Sequence, residues 1–263
     1  MTARTVPQGL APLIELLELE QPRVVSAAQL RTWSVEAGID WPVDVAIRRL
    51  RERGWLLDLA TRGVWEFVPA ARAGIYGSGD PLIELRATLA RDADARFAVG
   101  AESAAYLLGL ASRRPGREVV GAPRSVRPPK AFKVFRFVSW APRTPLLRRA
   151  SLPTWCPTTL IAFMATRPSG YRDWPNVGDW LAQAVAGMEE ADLARELSGR
   201  PRSAWARAAY LLDCGGARAL ALELLASAPG GGGPYYLGER RREGRYSRTF
   251  DVIDSTGLEA RTP

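Results

Sequence analysis

Between residues 41 and 69 the apolar positions change period, from helical to strand-like, and that change predicts the local fold. Val43, Ala46, Ile47 and Leu50 recur at i, i+3, i+4 and i+7, the spacing of one buried helix stripe. Asp44, Val45, Arg48, Arg49 and Glu52 then fall on the solvent side. Gly54 reads as the helix stop, because glycine enters the left-handed region without a Cβ penalty. Residues 55–59 and 64–68 read as two strands, with Trp65 and Phe67 on one face. The turn between them, Ala60-Thr61-Arg62-Gly63, carries an arginine at its tip.

The preceding residues extend this pattern. An apolar-rich helix is expected over residues 11–19, closed by Pro22. Ser26-Ala27-Ala28-Gln29 is a capping-box sequence: the serine oxygen accepts the N3 amide and the glutamine reaches back. It opens a second helix over residues 27–34, with Leu30 and Trp33 as apolar contacts. Glu36-Ala37-Gly38 is a turn, and Pro42 is tolerated in the first turn of the third helix. Three helices and a hairpin predict a winged helix-turn-helix, whose third helix enters the major groove while the wing rests on phosphate. The same pattern also suits a small helical packing module whose arginines are only solvated.

Beyond it, residues 70–79 form a small-residue connector, and 81–91 a helix with Leu82, Leu85 and Leu89 on one face. A helix is expected over 101–110, a basic proline-containing stretch over 113–129 and a strand over 132–140. Thr158 is the expected cap of a helix ending at Thr166, and Ser203 the cap of another over 204–213. Helical pieces fill 177–226, and 229–234 is a glycine link. Late strands at 235–237 and 246–253 flank a charged turn at 239–245. The fold class is α+β: a winged helix-turn-helix domain over 1–79 and a larger mixed domain over 80–263.

Composition narrows the chemistry. The chain has no histidine, which excludes Ser-His-Asp and Cys-His catalysis and imidazole metal sites. Cys156 and Cys214 match no metal or disulfide spacing. No apolar run is long enough for a bilayer and no signal-peptide segment opens the chain, so the expected location is cytoplasmic. The net charge of +8 is uneven. Glu15, Glu18, Glu20, Glu36, Asp40 and Asp44 offset the arginines of the first domain. Residues 113–149 instead hold eleven cations and one acid, Glu118. Such a block neutralises phosphates without reading sequence.

Several ordered segments carry a family likeness. Ala165-Thr-Arg-Pro168 and the run from Ser198-Gly-Arg-Pro201 to Asp213-Cys-Gly-Gly216 are two of them. Arg53-Gly-Trp-Leu56, Arg62-Gly-Val-Trp65, Ala73-Gly74 and Ser78-Gly-Asp-Pro81 are the others. In this order and spacing, over residues 24–254, the chain resembles the AbiEi-type antitoxin family, in its actinobacterial branch with an N-terminal winged helix. The resemblance implies an antitoxin encoded beside a nucleotidyltransferase-type toxin. It also implies repression of the chain's own operon, by binding inverted repeats of promoter double-stranded DNA. The chain departs from the family pattern in its nearly neutral first domain.

The expected DNA-binding residues follow. Arg48 and Arg49 point into the major groove, where guanidinium matches guanine O6 and N7, and Asp44 beside them accepts from a cytosine amine. Arg51, Arg53 and Arg62 meet the backbone. Arg124, Arg127, Lys130, Lys133 and Arg136 follow flanking DNA or attract an acidic toxin surface. No cofactor and no metal is expected. Two rival classes stand beside this: a toxin-sequestering antitoxin with little DNA binding, and a nucleotidyltransferase. The latter would use Gly77-Ser78 with Asp92 and Asp94, carboxylates that must alternate on a strand to share Mg²⁺. Residues 92–94 follow a helical pattern instead. Gly230–Gly233 lacks a P-loop ending; Trp155 and Trp174 read as core or interface residues rather than base-stacking ones; Met164, Leu211 and Leu212 read as core; and Arg240-Arg241-Arg242 reads as a solvated turn or an extension of the basic surface.

Overall fold

The computed structural model describes residues 5–72, 77–238 and 243–258. Contacts divide the chain into two units: one runs to Arg96 and regains Pro128–Val134, and the other holds Phe97–Arg127 and the chain from Phe135 onward. The first unit thus extends past residue 79, the boundary expected from the small-residue connector.

In the first unit, helix α1 (Ala11–Glu20) ends at Gln21 in the left-handed region. Strand β1 (Val24–Ser26) is an addition to the sequence reading; three residues are too few to display a period of two. Ser26 then caps α2 (Ala27–Glu36) with both capping-box bonds, at 3.2 Å and 3.1 Å. Helix α3 (Val43–Glu52) buries Ala46, Ile47 and Leu50 as the spacing requires. Gly54 follows it at φ +72°. Strands β2 (Leu56–Asp58) and β3 (Val64–Phe67) pair antiparallel, Leu56 opposite Phe67.

The sheet order is β1-β3-β2, so β3 is central. Its pleat puts Trp65 and Phe67 toward the core of Leu13, Leu17, Leu30, Ile47, Leu50 and Trp55. Each fully buried side chain of this kind contributes about 1.5–3 kcal/mol. Phe67 stacks on Trp55 with ring centroids 6.5 Å apart. Val64 and Glu66 fall on the opposite face. Helix α4 (Ile83–Arg91) packs on β1 and β3. The 3₁₀ turn Lys130–Val134 packs on α4 in its turn, with Phe132 buried.

The second unit is built on a five-stranded sheet. Its strands are β4 (Ala98–Val99), β5 (Val119–Ala122), β6 (Arg136–Ser139), β7 (Leu147–Arg149) and β8 (Leu152–Thr154), in the order β6-β5-β4-β8-β7. Only residues 136–139 of the strand expected at 132–140 are extended. Helix α5 (Ala101–Leu107) is shorter than expected, followed by Gly109 at positive φ. Helix α6 (Pro157–Thr166) is buried from Thr158 through Ala165, as befits a central helix.

Helices α7 (Val177–Val185), α8 (Glu190–Leu197), α9 (Arg202–Cys214) and α10 (Arg218–Ala226) complete the helical layer. Strands β9 (Tyr235–Leu237), β10 (Arg245–Ser247) and β11 (Val252–Asp254) form a second sheet, with β11 in the middle. Two capping expectations are corrected. Cys156 caps α6 through its sulfur, because Pro157 takes the first helical position and carries Thr158 inside. Helix α9 starts one residue before Ser203, after Pro201, and has no side-chain cap.

Trp155, Trp140 and Phe163 form an aromatic knot, with Trp155 and Phe163 centroids 5.1 Å apart. Gly100 and Gly121 make room for it: a Cβ on Gly121 would sit 2.4 Å from the Trp155 ring. Met164, Leu211 and Leu212 are fully buried as expected.

Candidate nucleic-acid interface

The exposed face of α3 carries Asp44, Arg48, Arg49, Arg51 and Glu52, and exposed Arg53 follows its last turn. Asp44 sits in the first turn and Arg49 and Arg51 in the last, each favourable to the helix dipole. Arg48 and Arg49 lie 4.0 Å and 3.6 Å from the Glu52 carboxylate, with side chains 63% and 48% exposed. Exposed pairs of this kind are worth at most about 1 kcal/mol and are screened by salt, so both guanidinium groups can swing to another acceptor.

The flanking cations have partners of their own, also at the exposed surface. Arg51 pairs with Asp58, which also accepts the Trp65 indole N–H at 3.1 Å. Arg53 donates to the Thr5 hydroxyl at 2.7 Å. Arg48, Arg51, Glu52, Leu56, Leu57 and Asp58 line an open depression of ≈ 380 Å³ between α3 and β2. Arg62, at the wing tip, is exposed and has no ion-pair partner among the described residues.

The wing turn has a support that sequence reasoning missed. Glu84 of α4 is buried, and its carboxylate accepts the Ala60 amide at 2.7 Å and the Thr61 amide at 3.1 Å. The signal available was the pair Glu84 and Thr88 at i, i+4, a polar stripe beside the apolar one. Asp80 braces the start of α4. Burial opposes its ionisation, but the Leu82 amide and the Arg86 and Arg23 guanidinium groups outweigh this and hold its carboxyl below the ordinary 3.8. Ser78 donates its amide to Glu66. The segment 77–80 therefore serves helix entry. Asp92 and Asp94 are exposed in a turn after α4, with no strand to converge them.

The basic block is divided between the two units. Lys130 and Lys133 belong to the first unit, whereas Arg124, Arg127 and Arg136 belong to the second. Arg124, Arg127, Lys130 and Lys133 are exposed. Arg136 is a correction: its guanidinium pairs with buried Glu102 and donates to the Gly170 carbonyl at 2.6 Å, so it is not available to phosphate. Arg143 likewise donates to the Arg195 and Ser198 carbonyls at the end of α8. The Arg240–Arg242 turn and the Ala73-Gly74 pair lie outside the described residues.

Other polar groups of the second unit hold its helices. Oε1 of fully buried Glu196 accepts the Arg143 and Thr144 amides, each at 2.9 Å, and the Thr159 hydroxyl at 2.7 Å. Burial pushes the Cys214 thiol up to about 11 and raises the Tyr210 hydroxyl, which donates to Asp254 at 3.0 Å. Trp174 donates its indole N–H to the Pro168 carbonyl at 2.9 Å. Among the described residues, no three His, Cys, Asp or Glu side chains gather as a metal site, and no helix is long and apolar enough to cross a membrane.

Residues 97–214 match the model of the AbiEi antitoxin C-terminal domain. That stretch begins where the second unit begins. Along 96% of its length the chain is similar to the crystal structure of the RV2827C protein from Mycobacterium tuberculosis, at 31% identity, 93% coverage of that chain and a TM-score of 0.79. No curated protein matches. The chain belongs to the AbiEi-type antitoxin family, the antitoxin side of toxin–antitoxin systems.

Proposed function

We propose that this antitoxin binds double-stranded DNA through α3 and the wing, represses its own operon at promoter inverted repeats, and has no catalytic activity of its own. The observation that carries this reading is the outward presentation of Arg48 and Arg49 on α3, with Arg62 on the wing beside it. In a major groove those two guanidinium groups would meet guanine O6 and N7, each good bidentate contact discriminating by about 1–3 kcal/mol. Asp44 would accept from a cytosine amine. Arg62, Lys130 and Lys133 supply charge to phosphates, and Arg53 joins them once released from Thr5. Arg124 and Arg127 remain for flanking DNA or for an acidic toxin surface. The family likeness supports a nucleotidyltransferase-type toxin as the partner opposed, and the cytoplasm as the place where this happens.

The test is retardation of a duplex taken from immediately upstream of the gene, challenged with excess random duplex. Retention of the upstream duplex alone supports repression; equal release from both refutes it. A second reading, an antitoxin that sequesters its toxin with little DNA binding, is favoured by one observation. Arg51 already pairs with Asp58, and Glu52 pairs with both Arg48 and Arg49. Co-purification of untagged toxin with weak duplex retention would select it.

A further inference from the structure

We infer that Glu84 is the positioning residue of the wing: a buried carboxylate on α4 that holds the turn Ala60-Thr61-Arg62-Gly63 and thereby aims Arg62. The inference rests on the reading of the first unit as a DNA-binding module, since the wing is the part that would meet phosphate.

Strands β2 and β3 are three and four residues long, and a hairpin arm of that size is marginal by itself. Its turn nevertheless turns inward at one residue. Thr61 is 3% exposed, although Ala60, Arg62 and Gly63 on either side are exposed. Glu84, 8% exposed, draws it in. The carboxylate accepts the Ala60 amide at 2.7 Å, the Thr61 amide at 3.1 Å and the Thr61 hydroxyl at 2.8 Å. Thr88, one helical turn on, lies 3.4 Å from the Thr61 hydroxyl.

No cation pairs with Glu84 among the described residues, so two peptide N–H groups and a hydroxyl offset its charge. Hydrogen bonds to an ionised acceptor are about twice as strong as neutral ones. The other side of the turn is also held: the Gly63 carbonyl accepts the Ala27 amide at 3.1 Å, at the first residue of α2. With Thr61 drawn inward and Gly63 fixed to α2, the residue between them projects outward. That residue is Arg62.

The test uses the full chain in four variants: Glu84→Gln, Thr61→Val, Thr61→Ser and Arg62→Ala. Glutamine places an amide NH₂ against groups that are already donors, valine removes the hydroxyl, and serine keeps it. Amide hydrogen exchange at Ala60 and Thr61 should quicken by about tenfold or more in Glu84→Gln, less in Thr61→Val, and stay as in the unaltered chain in Thr61→Ser. Amides of α3 should not change. Glu84→Gln should weaken binding to the upstream duplex, and adding it to Arg62→Ala should weaken binding no further, because both act through one side chain.

Unchanged exchange at the turn in Glu84→Gln, or additive losses in the double variant, would overturn the inference. If Glu84→Gln fails to fold, Thr61→Val set against Thr61→Ser decides by the same exchange measurement. If the unaltered chain retains no duplex at all, the DNA-binding reading fails, and the exchange measurement alone decides whether Glu84 anchors the turn.

Discussion

Replacing Arg136 with alanine should destabilise the second unit severely while leaving any salt dependence of DNA binding unchanged. The side chain is 14% exposed and its partner Glu102 6% exposed. Removing it strips the Gly170 carbonyl of its donor and leaves the Glu102 carboxylate, inside the protein, with the Arg172 amide as its remaining bond among those described. Breaking one side of a buried ion pair costs about 3–5 kcal/mol, chiefly because the surviving charge stays desolvated. For a unit of this size each kcal/mol lowers Tm by about 2–4 °C, so Arg136→Ala should fall by about 6–20 °C. Differential scanning calorimetry reads this directly. The pairing of Glu102→Leu with Arg136→Met should recover most of the loss, since apolar replacement of both partners is often neutral or better. A shift within about 2 °C for Arg136→Ala, or a reduced salt slope with stability intact, would refute the assignment of this residue to the interior.

Two further outcomes are expected. Asp80 has a folded pKa held below its ordinary 3.8, so its contribution is present in full above that value and is lost as pH falls through the lowered one. Asp80→Asn should therefore reduce stability at neutral pH and flatten its decline in acid below about pH 4, as read by urea unfolding across pH. Gly121→Ala should cost about 1–3 kcal/mol, or more if Trp155 cannot shift, since the new methyl collides with its ring; Tm and near-ultraviolet circular dichroism report it.

The elements legible in the sequence were those with a local cause. The 3.6-residue stripe gave α3, the Ser26/Gln29 box gave the start of α2, and Gly54 and Gly63 bounded the hairpin. What escaped was decided by tertiary contact. Strand β1 exists because β3 pairs with it, and α4 belongs with the first unit because it packs on both strands. The basic block from 113 to 149 illustrates the same limit. Its charge is plain in the sequence, but the pairing of Arg136 with Glu102 joins residues 34 apart and no periodicity announces it. Proline explains the two misplaced caps: Pro157 and Pro201 each set the helix start ahead of the hydroxyl residue that seemed to mark it. The arginines of α3 were legible because an exposed helix face needs only spacing to be read.

The central claim is that α3 reads bases through Arg48 and Arg49. The measurement that tests it most directly is the ratio of affinities for the upstream duplex and for random duplex, in the unaltered chain and in Arg48→Ala/Arg49→Ala. The account predicts a preference in the unaltered chain that falls by about tenfold or more in the variant, while binding to random duplex weakens only by the loss of charge. A variant that protects the same operator with an undiminished ratio would contradict it.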